Sequence, residues 1–446
     1  MKHVQKEVKD RSLLGLSWPL ILTFAVGMIQ PMMDSWFLSR TSETAAAGVG
    51  AMMPILAALF TAIHAFSQSG ASITSQYIGA NQKAHARSTQ TLVIFGSFLL
   101  GVALTLIIFP ISGYIPRWMG LEGTPAEYAR QFLCVVAFGF AFRALQSTLT
   151  ALIATHGITI WNLIGNVLTI ASNAVMNYIF LEGLFGLPKM GVYGVGLATA
   201  LSWLISSIIL WLALRFKAQH KSHRRDLKRS RIILPDWLRI GLPAAAEPIS
   251  FQLFQVFITA MVVYVGTTAM TARVFAGNFA ALSVILGVGF GSGNQILIGH
   301  LVGAHDFKKA SKRAYQTIAI GCTSGLILSI LVALNGEFLI RFFTDNPEVI
   351  HLGCLCLWCD VAVQPFKAVN FIITTSLRAA GDSKFPAFVG SGMMWTLGLT
   401  TALILAFVLD LGLVGLWLGM ASDEFYRSIA NLWRWRSGRW QTKAVV

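Results

Sequence analysis

Residues Leu13 to Leu38 read LLGLSWPLILTFAVGMIQPMMDSWFL, a run apolar and long enough to cross a bilayer as one helix. Its outer half nevertheless carries a carboxylate, Asp34, with Pro31 one turn before it and Pro19 four turns before. A charge inside a membrane helix costs on the order of a few kcal/mol, so such a group faces a cavity or a partner. Proline deletes a backbone hydrogen bond and weakens the helix around it. An ionisable group on a helix built to bend predicts a switch that answers a proton or a small cation, with Pro19 and Pro31 as the two candidate hinges.

The rest of the chain extends the same pattern. Of 446 residues 55% are hydrophobic and only 12% charged, and the mean hydropathy is +0.66. Soluble domains carry roughly a quarter charged residues, so the chain is an integral membrane protein. Twelve spans are expected, beginning near Leu13, Ala47, Leu92, Phe132, Ile158, Gly191, Ile240, Thr271, Gln316, Ile350, Phe385 and Gly412. The lengths fit helices; barrel strands would be about 10 residues with strict alternation. The first stretch reads as an uncleaved helix, because it is too long for a signal peptide and lacks a small-residue cleavage site.

The net charge of +15 suggests nucleic acid until the 34 Lys and Arg residues are placed. Twenty-six fall at the termini and in the loops after even-numbered helices, against five in the opposite loops (Arg40, Arg117, Arg130, Lys189, Arg341). That asymmetry is the positive-inside rule; it predicts both termini in the cytoplasm and leaves no case for a nucleic-acid partner. Five cysteines lie in predicted spans, and the set His351, Cys354, Cys356, Cys359 has no zinc-ligand spacing, so packing is expected and no metal.

A repeat organises the whole. Pro19 maps to Pro243, Gly79-Ala80 to Gly303-Ala304, Phe142 to Phe366 and Gly157 to Gly381, all displaced by 224 residues, and Gly191 and Gly194 map to Gly412 and Gly415. The expected domains are residues 1–214, a six-helix lobe, and residues 240–446, a second one. Residues 215–239, with nine Lys or Arg, form a basic cytoplasmic linker between them. Six helices per lobe give parallel repeats, an arrangement that places a substrate cleft between lobes and suits alternating access.

Polar residues point into that all-α frame. On the fifth span Asn162, Asn166, Thr169, Asn173 and Asn177 fall within a stripe roughly 80° wide at 100° per residue. Amides cannot face lipid unpaired, so the stripe faces a wet cavity or holds helices together, and five groups favour the cavity. The second span repeats the pattern with Thr61, His64, Gln68, Ser72 and Ser75, and the first places Gly27, Gln30 and Asp34 on one face. A carboxylate ringed by neutral groups away from bulk water can exchange a proton or hold Na⁺ with amide oxygens. Among the intramembrane cations, Arg143 and Lys367 are repeat mates, with Glu247 and Asp360 available to pair with Lys367; Arg273 reads as reaching for the outer interface. Met28, Met32, Phe251 and Phe254 suit an adaptable apolar pocket. No P-loop, nucleophile–base set or cofactor motif occurs, and no enzyme is expected.

The segments QPMMDSWFLSR, QYIGANQKAHAR, VGAHDFKKASKRA, SLRAAGDSKFP and ASDEFYRSIANLWRWRSGRW, taken with the 6+6 repeat, resemble the multidrug and toxic compound extrusion (MATE) transporters over essentially the whole chain. The resemblance implies export of small amphipathic, often cationic drugs in exchange for H⁺ or Na⁺ by a multi-pass protein of the bacterial inner membrane, with a monomer expected and only lipid and drug as partners. It implies a coupling set of Asp34, Asn173, Asn177 and Thr199. Gln30, Met28, Met32, Gln68, Asn166, Phe251, Phe254 and Lys367 are the expected cavity residues. Asn177 stands where many relatives have a second carboxylate. Phe251 and Lys367 stand where NorM-like members carry acids, which favours a DinF-like member. The alternative is a flippase or exporter of a lipid-linked or anionic solute.

Overall fold

The computed structural model describes residues 8, 12–218 and 224–446, with no side-chain description for Arg224 and Leu227. Twelve long helical segments follow one another among these residues: α1 (Leu13–Thr41), α2 (Met53–Gly79, preceded by a short helix Glu43–Gly50), α3 (Lys83–Ile111), α4 (Gly123–Thr155), α5 (Ile160–Glu182), α6 (Gly191–Phe216), α7 (Arg224–Val265), α8 (Thr267–Gly303), α9 (Phe307–Leu334), α10 (Pro347–Ala379), α11 (Lys384–Val408) and α12 (Gly412–Arg436). Among the described residues ten are long and apolar enough to cross a membrane alone, or eleven counting α2 with its preceding piece. The twelfth, α12, falls short because Asp423, Glu424, Arg427, Arg434 and Arg436 interrupt its apolar run.

Prolines explain where two helices break. In α1 the helix is interrupted at Met28, between Leu13–Gly27 and Ile29–Thr41. Pro31 has no N–H for the Gly27 carbonyl four residues back, and its ring crowds that carbonyl. The same spacing separates Pro54 from Gly50, where the piece Glu43–Gly50 meets α2 at 44°. Pro19 sits within the continuous helix Leu13–Gly27 without ending it. The break therefore belongs to Pro31.

The repeat is written in the backbone as well as the sequence. Asn81 and His305, 224 residues apart, both adopt left-handed φ, 63° and 55°. Each closes its helix with the same six-residue bond, Gln82 N–H to Tyr77 O and Asp306 N–H to Leu301 O, both 2.9 Å. Gly157 and Gly381 match in the same way, with φ of 73° and 90°, a conformation that favours glycine at these helix ends.

Two compact units result. Among the described residues the first holds 22–78, 82–218 and 224–241, the second 12–21, 79–81 and 242–446. The expected linker is helical from Arg224 onward and through Gly241 belongs to the first unit. Asp226 is buried and accepts from Ser88 Oγ (3.2 Å), and Trp237 Nε1 donates to Phe66 O (3.2 Å). Residues 219–223 of that stretch lie outside the described residues. The opening turns of α1 pack in the second unit, where Leu13, Leu16 and Ile21 meet Phe290 and Leu297 of α8. A Cβ on Gly293 would lie 2.2 Å from Ser17 Oγ, and one on Gly289 2.2 Å from the Ile21 side chain, so these glycines permit the close approach. Each unit has its own apolar core: Phe37, Leu133, Phe140 and Trp203 in the first, Phe254, Ile258, Cys356 and Met394 in the second. Cys356 is thus a packing residue.

Candidate functional site

The first unit holds a polar centre around Asp34. The side chain is buried, and its Oδ1 accepts from Asn177 Nδ2 at 3.2 Å. Asn177 Nδ2 also donates to Asn173 Oδ1 (2.9 Å), and Asn173 Nδ2 to Thr199 Oγ1 (3.3 Å). Thr199 Oγ1 lies 3.4 Å from Asp34 Oδ2 and 2.9 Å from Val195 O. One hydroxyl proton serves one acceptor at a time, so the shorter bond holds it and the carboxylate contact is the weaker alternative. Asp34 is in no ion pair among the described residues. Asn177 Oδ1 is buried without a hydrogen-bond partner. Asp34, Asn173, Asn177 and Thr199 are thus brought together.

Part of the remaining α5 stripe bonds to neighbouring helices. Asn162, Thr169, Asn173 and Asn177 are buried, and half-buried Asn166 donates to the Thr23 carbonyl of α1 at 2.6 Å. Gln146 of α4 donates to Thr169 Oγ1 and to Ser206 Oγ of α6, each at 3.0 Å. Asn166, Thr169 and Asn173 tie α5 to α1, α4 and α6, whereas both amide atoms of buried Asn162 have no hydrogen-bond partner. On α2, Gln68 and exposed His64 meet each other at 3.3 Å and Thr61 bonds its own helix at Ala57 O. Gln30 is half-buried, while Met28 and Met32 are 43% and 73% exposed. Arg143 donates to Gln146 Oε1 (2.7 Å) and lies over the Phe60 and Trp203 rings.

The second unit holds a different centre, a cavity of about 530 Å³ between α7, α8, α10 and α12. Phe251, Phe254 and Lys367 all line it. Lys367 pairs with Asp360. Glu247 does not take that cation: its Oε2 accepts from Arg378 Nη2 (2.6 Å) and its Oε1 faces Arg427 Nη1 (3.5 Å). Arg427 also meets Asp423 Oδ2 and Glu424 Oε1, each at 2.8 Å. Asn370 Nδ2 donates to Glu424 Oε2 (2.7 Å), and Asn431 Nδ2 to Asn370 Oδ1 (2.9 Å). Arg273 turns inward rather than to the interface; it lines the cavity and donates to Thr259 Oγ1 (3.0 Å) and Gln255 Oε1 (3.3 Å).

Sequence reasoning overlooked the α12 members. The available signal was the run Asp423-Glu424 followed by Arg427, acids one turn from a base in an otherwise apolar helix, a pairing geometry on any helix.

Two six-helix repeats, each with a buried polar centre, define a polytopic secondary transporter rather than an enzyme. Residues 19–179 and 243–409 both match the MatE family model, starting 224 residues apart like Pro19 and Pro243 (243 − 19), and the chain belongs to the MATE family of transporters. It is 30% identical over 454 residues to the "Uncharacterized transporter YisQ" of Bacillus subtilis (strain 168), covering 98% of this chain and 96% of that one. To the "Probable multidrug resistance protein NorM" of Thermotoga maritima it is 27% identical over 444 residues, covering 98% and 94%. Among solved structures, a MATE in the bent conformation superposes with a TM-score of 0.90 at 20% identity, covering 100% and 99% of the two chains. One in the straight conformation gives 0.88 at 20%, covering 99% of each.

Proposed function

We propose that this transporter exports small amphipathic compounds, chiefly cations, in exchange for H⁺, and that Asp34 is the coupling carboxylate. The observation that carries the reading is a buried carboxylate held by Asn177 and Thr199 with no Lys or Arg within 4.0 Å among the described residues. A carboxylate held by neutral donors can gain and lose a proton without breaking an ion pair. Protonation turns one acceptor oxygen into a donor. It removes the charge assistance from the Asn177 bond. The amide nitrogen of Asn177 faces Asp34; Na⁺ needs oxygens there and so needs the amide to turn. This favours H⁺ over Na⁺.

The loosened end of α1 then moves at the Gly27–Met28 break, with Pro31 the hinge favoured over Pro19. A ligand shifts the two states only by its differential affinity for them. MATE structures solved in a bent and in a straight conformation are compatible with two such states. The positive-inside distribution supports a bacterial inner-membrane location with both termini in the cytoplasm. The absence of acids at Phe251 and Lys367 supports a DinF-like subtype, and a monomer suffices for the mechanism.

The test is substrate transport in proteoliposomes with pH and sodium gradients imposed separately. A pH gradient is expected to drive it and a sodium gradient at matched pH is not; the reverse result ends the proton reading. The second reading, an exporter of an anionic solute, draws on Arg143, which has no carboxylate within 4.0 Å among the described residues. Arg143→Glu distinguishes the two: selective loss of an anionic substrate favours the second.

A further inference from the structure

A cleft of about 750 Å³ lies in the first unit between the last turns of α1, the last turns of α5 and the start of α6. In the orientation proposed above these are outer ends. Trp36, Arg40 and Thr41 form the α1 wall. The α5 wall is a stripe of Val175, Tyr178, Ile179 and Glu182, spaced i, i+3, i+4 and i+7. Arg40, Thr41, Glu182 and Lys189 stand at or just past helix ends, whereas Val175 lies seven residues before Glu182, about 10 Å along the helix. The cleft therefore has a polar rim and an apolar floor.

At the rim Glu182 and Lys189 pair with each other at 3.8 Å. Arg40 has no carboxylate within 4.0 Å among the described residues. Its guanidinium lies 4.3 Å from the centre of the Trp36 ring. Stacking uses the face of the guanidinium and leaves its in-plane N–H groups for an acceptor. Beside it Thr41 Oγ1 is buried with no hydrogen-bond partner, although a helix threonine ordinarily donates to the carbonyl one turn back. Trp36 and Tyr178 are both exposed, as aromatic side chains are where bilayer meets water. A soluble anion satisfies the rim and leaves the floor bare, and an apolar cation does the reverse. An anionic amphiphile satisfies both.

We propose that this cleft seats an anionic phospholipid. The phosphodiester oxygens accept from the Arg40 fork and from Thr41 Oγ1, an acyl chain lies along Val175 and Ile179, and Trp36 and Tyr178 flank the headgroup. The seat bridges two moving parts of the proposed mechanism. One is the piece of α1 beyond the break at Met28, which carries Asp34; the other is α5, which carries Asn177. Seven residues bring Thr41 back to the face of Asp34, about 10 Å further along the helix. The site concerns a resident lipid and not the exported compound, so it stands apart from the coupling reading.

The test is quenching of Trp36 fluorescence in the purified full chain, in detergent, by phosphatidylglycerol brominated on its acyl chains. Phosphatidylcholine with the same brominated chains is the zwitterionic comparison. The Trp36 share is the difference between each protein and the same protein carrying Trp36→Phe, a change at an exposed side chain. In the wild type that share is expected to be half-quenched at an about fivefold lower mole fraction of phosphatidylglycerol than of phosphatidylcholine. Arg40→Gln is expected to abolish the preference, Arg40→Lys to keep part of it, and Thr41→Val to reduce it. Equal half-points for the two lipids in the wild type overturn the proposal, as does a preference that survives Arg40→Gln. So does glycerol 3-phosphate that displaces the lipid at equal concentration, the mark of a soluble-phosphate site. Quenching in detergent needs no ion gradient, so failure of gradient-driven transport strikes the coupling reading and not this one.

Discussion

The two polar centres are built on opposite plans. Around Asp34 one carboxylate accepts from the Asn177 amide, with the Thr199 hydroxyl as a weaker neighbour. Around Glu247 three carboxylates and two arginines hold one another. A hydrogen bond to a charged group contributes about 1.5–3 kcal/mol net, whereas removing one member of a buried ion pair destabilises by about 3–5 kcal/mol. A group that changes charge in every transport cycle works with partners that can adjust to either state, which amides and hydroxyls do. A mutually paired network resists such change and defines a rigid, charged wall. The repeats therefore share a backbone and carry polar centres of opposite composition.

Breaking this contrast gives the largest effects. Asp34→Asn is expected to reduce efflux to background at normal expression while leaving the protein folded, read by drug accumulation in cells; near-normal efflux would remove Asp34 from the mechanism. Glu247→Ala leaves Arg378 and Arg427 short of a partner and is expected to destabilise by about 3–5 kcal/mol, seen as a fall in the thermal unfolding midpoint in detergent. Asn177→Ala removes one hydrogen bond to Asp34 and is expected to lower proton-driven transport about tenfold, the equivalent of about 1.4 kcal/mol, with a smaller stability loss than Glu247→Ala. Equal stability losses from the two would erase the distinction drawn here. Pro31→Ala restores an N–H for the Gly27 carbonyl; it is expected to raise the unfolding midpoint slightly and slow transport a few-fold, whereas Pro19→Ala should slow it less.

Much of the architecture was legible in the sequence because hydrophobic length and the 224-residue repeat act over long windows. Observed helices start earlier than their apolar runs, as in Lys83 against Leu92 and Phe307 against Gln316, since amphipathic first turns continue a helix beyond its apolar part. The residues around Asp34 were reached through the family resemblance, and the buried Asn173 and Asn177 lay on a visible stripe. That Asn166, Thr169 and Asn173 bond to neighbouring helices was not legible, because an amide pattern is the same for packing and for a wet cavity. Least legible was the second centre. Glu247 pairs with Arg378 and Arg427 across 131 and 180 residues, and no local period records such a pairing. The sequence offered Lys367 two intramembrane partners, Glu247 and Asp360, and only geometry assigned it to Asp360.

The seam in α1 has a consequence for how the protein opens on a timescale of minutes to hours. A helix at this point lacks the amide that Pro31 cannot supply, while the turns before it pack against Phe290 and Leu297 and those after it hold Asp34. Local unfolding begins where backbone bonds are fewest, so deuterium should enter the amides of Met28 to Gln30 well before those of Leu16 or Leu38. An exchange map that brightened at these three amides on acidification would make the seam a readout of the carboxylate two turns away.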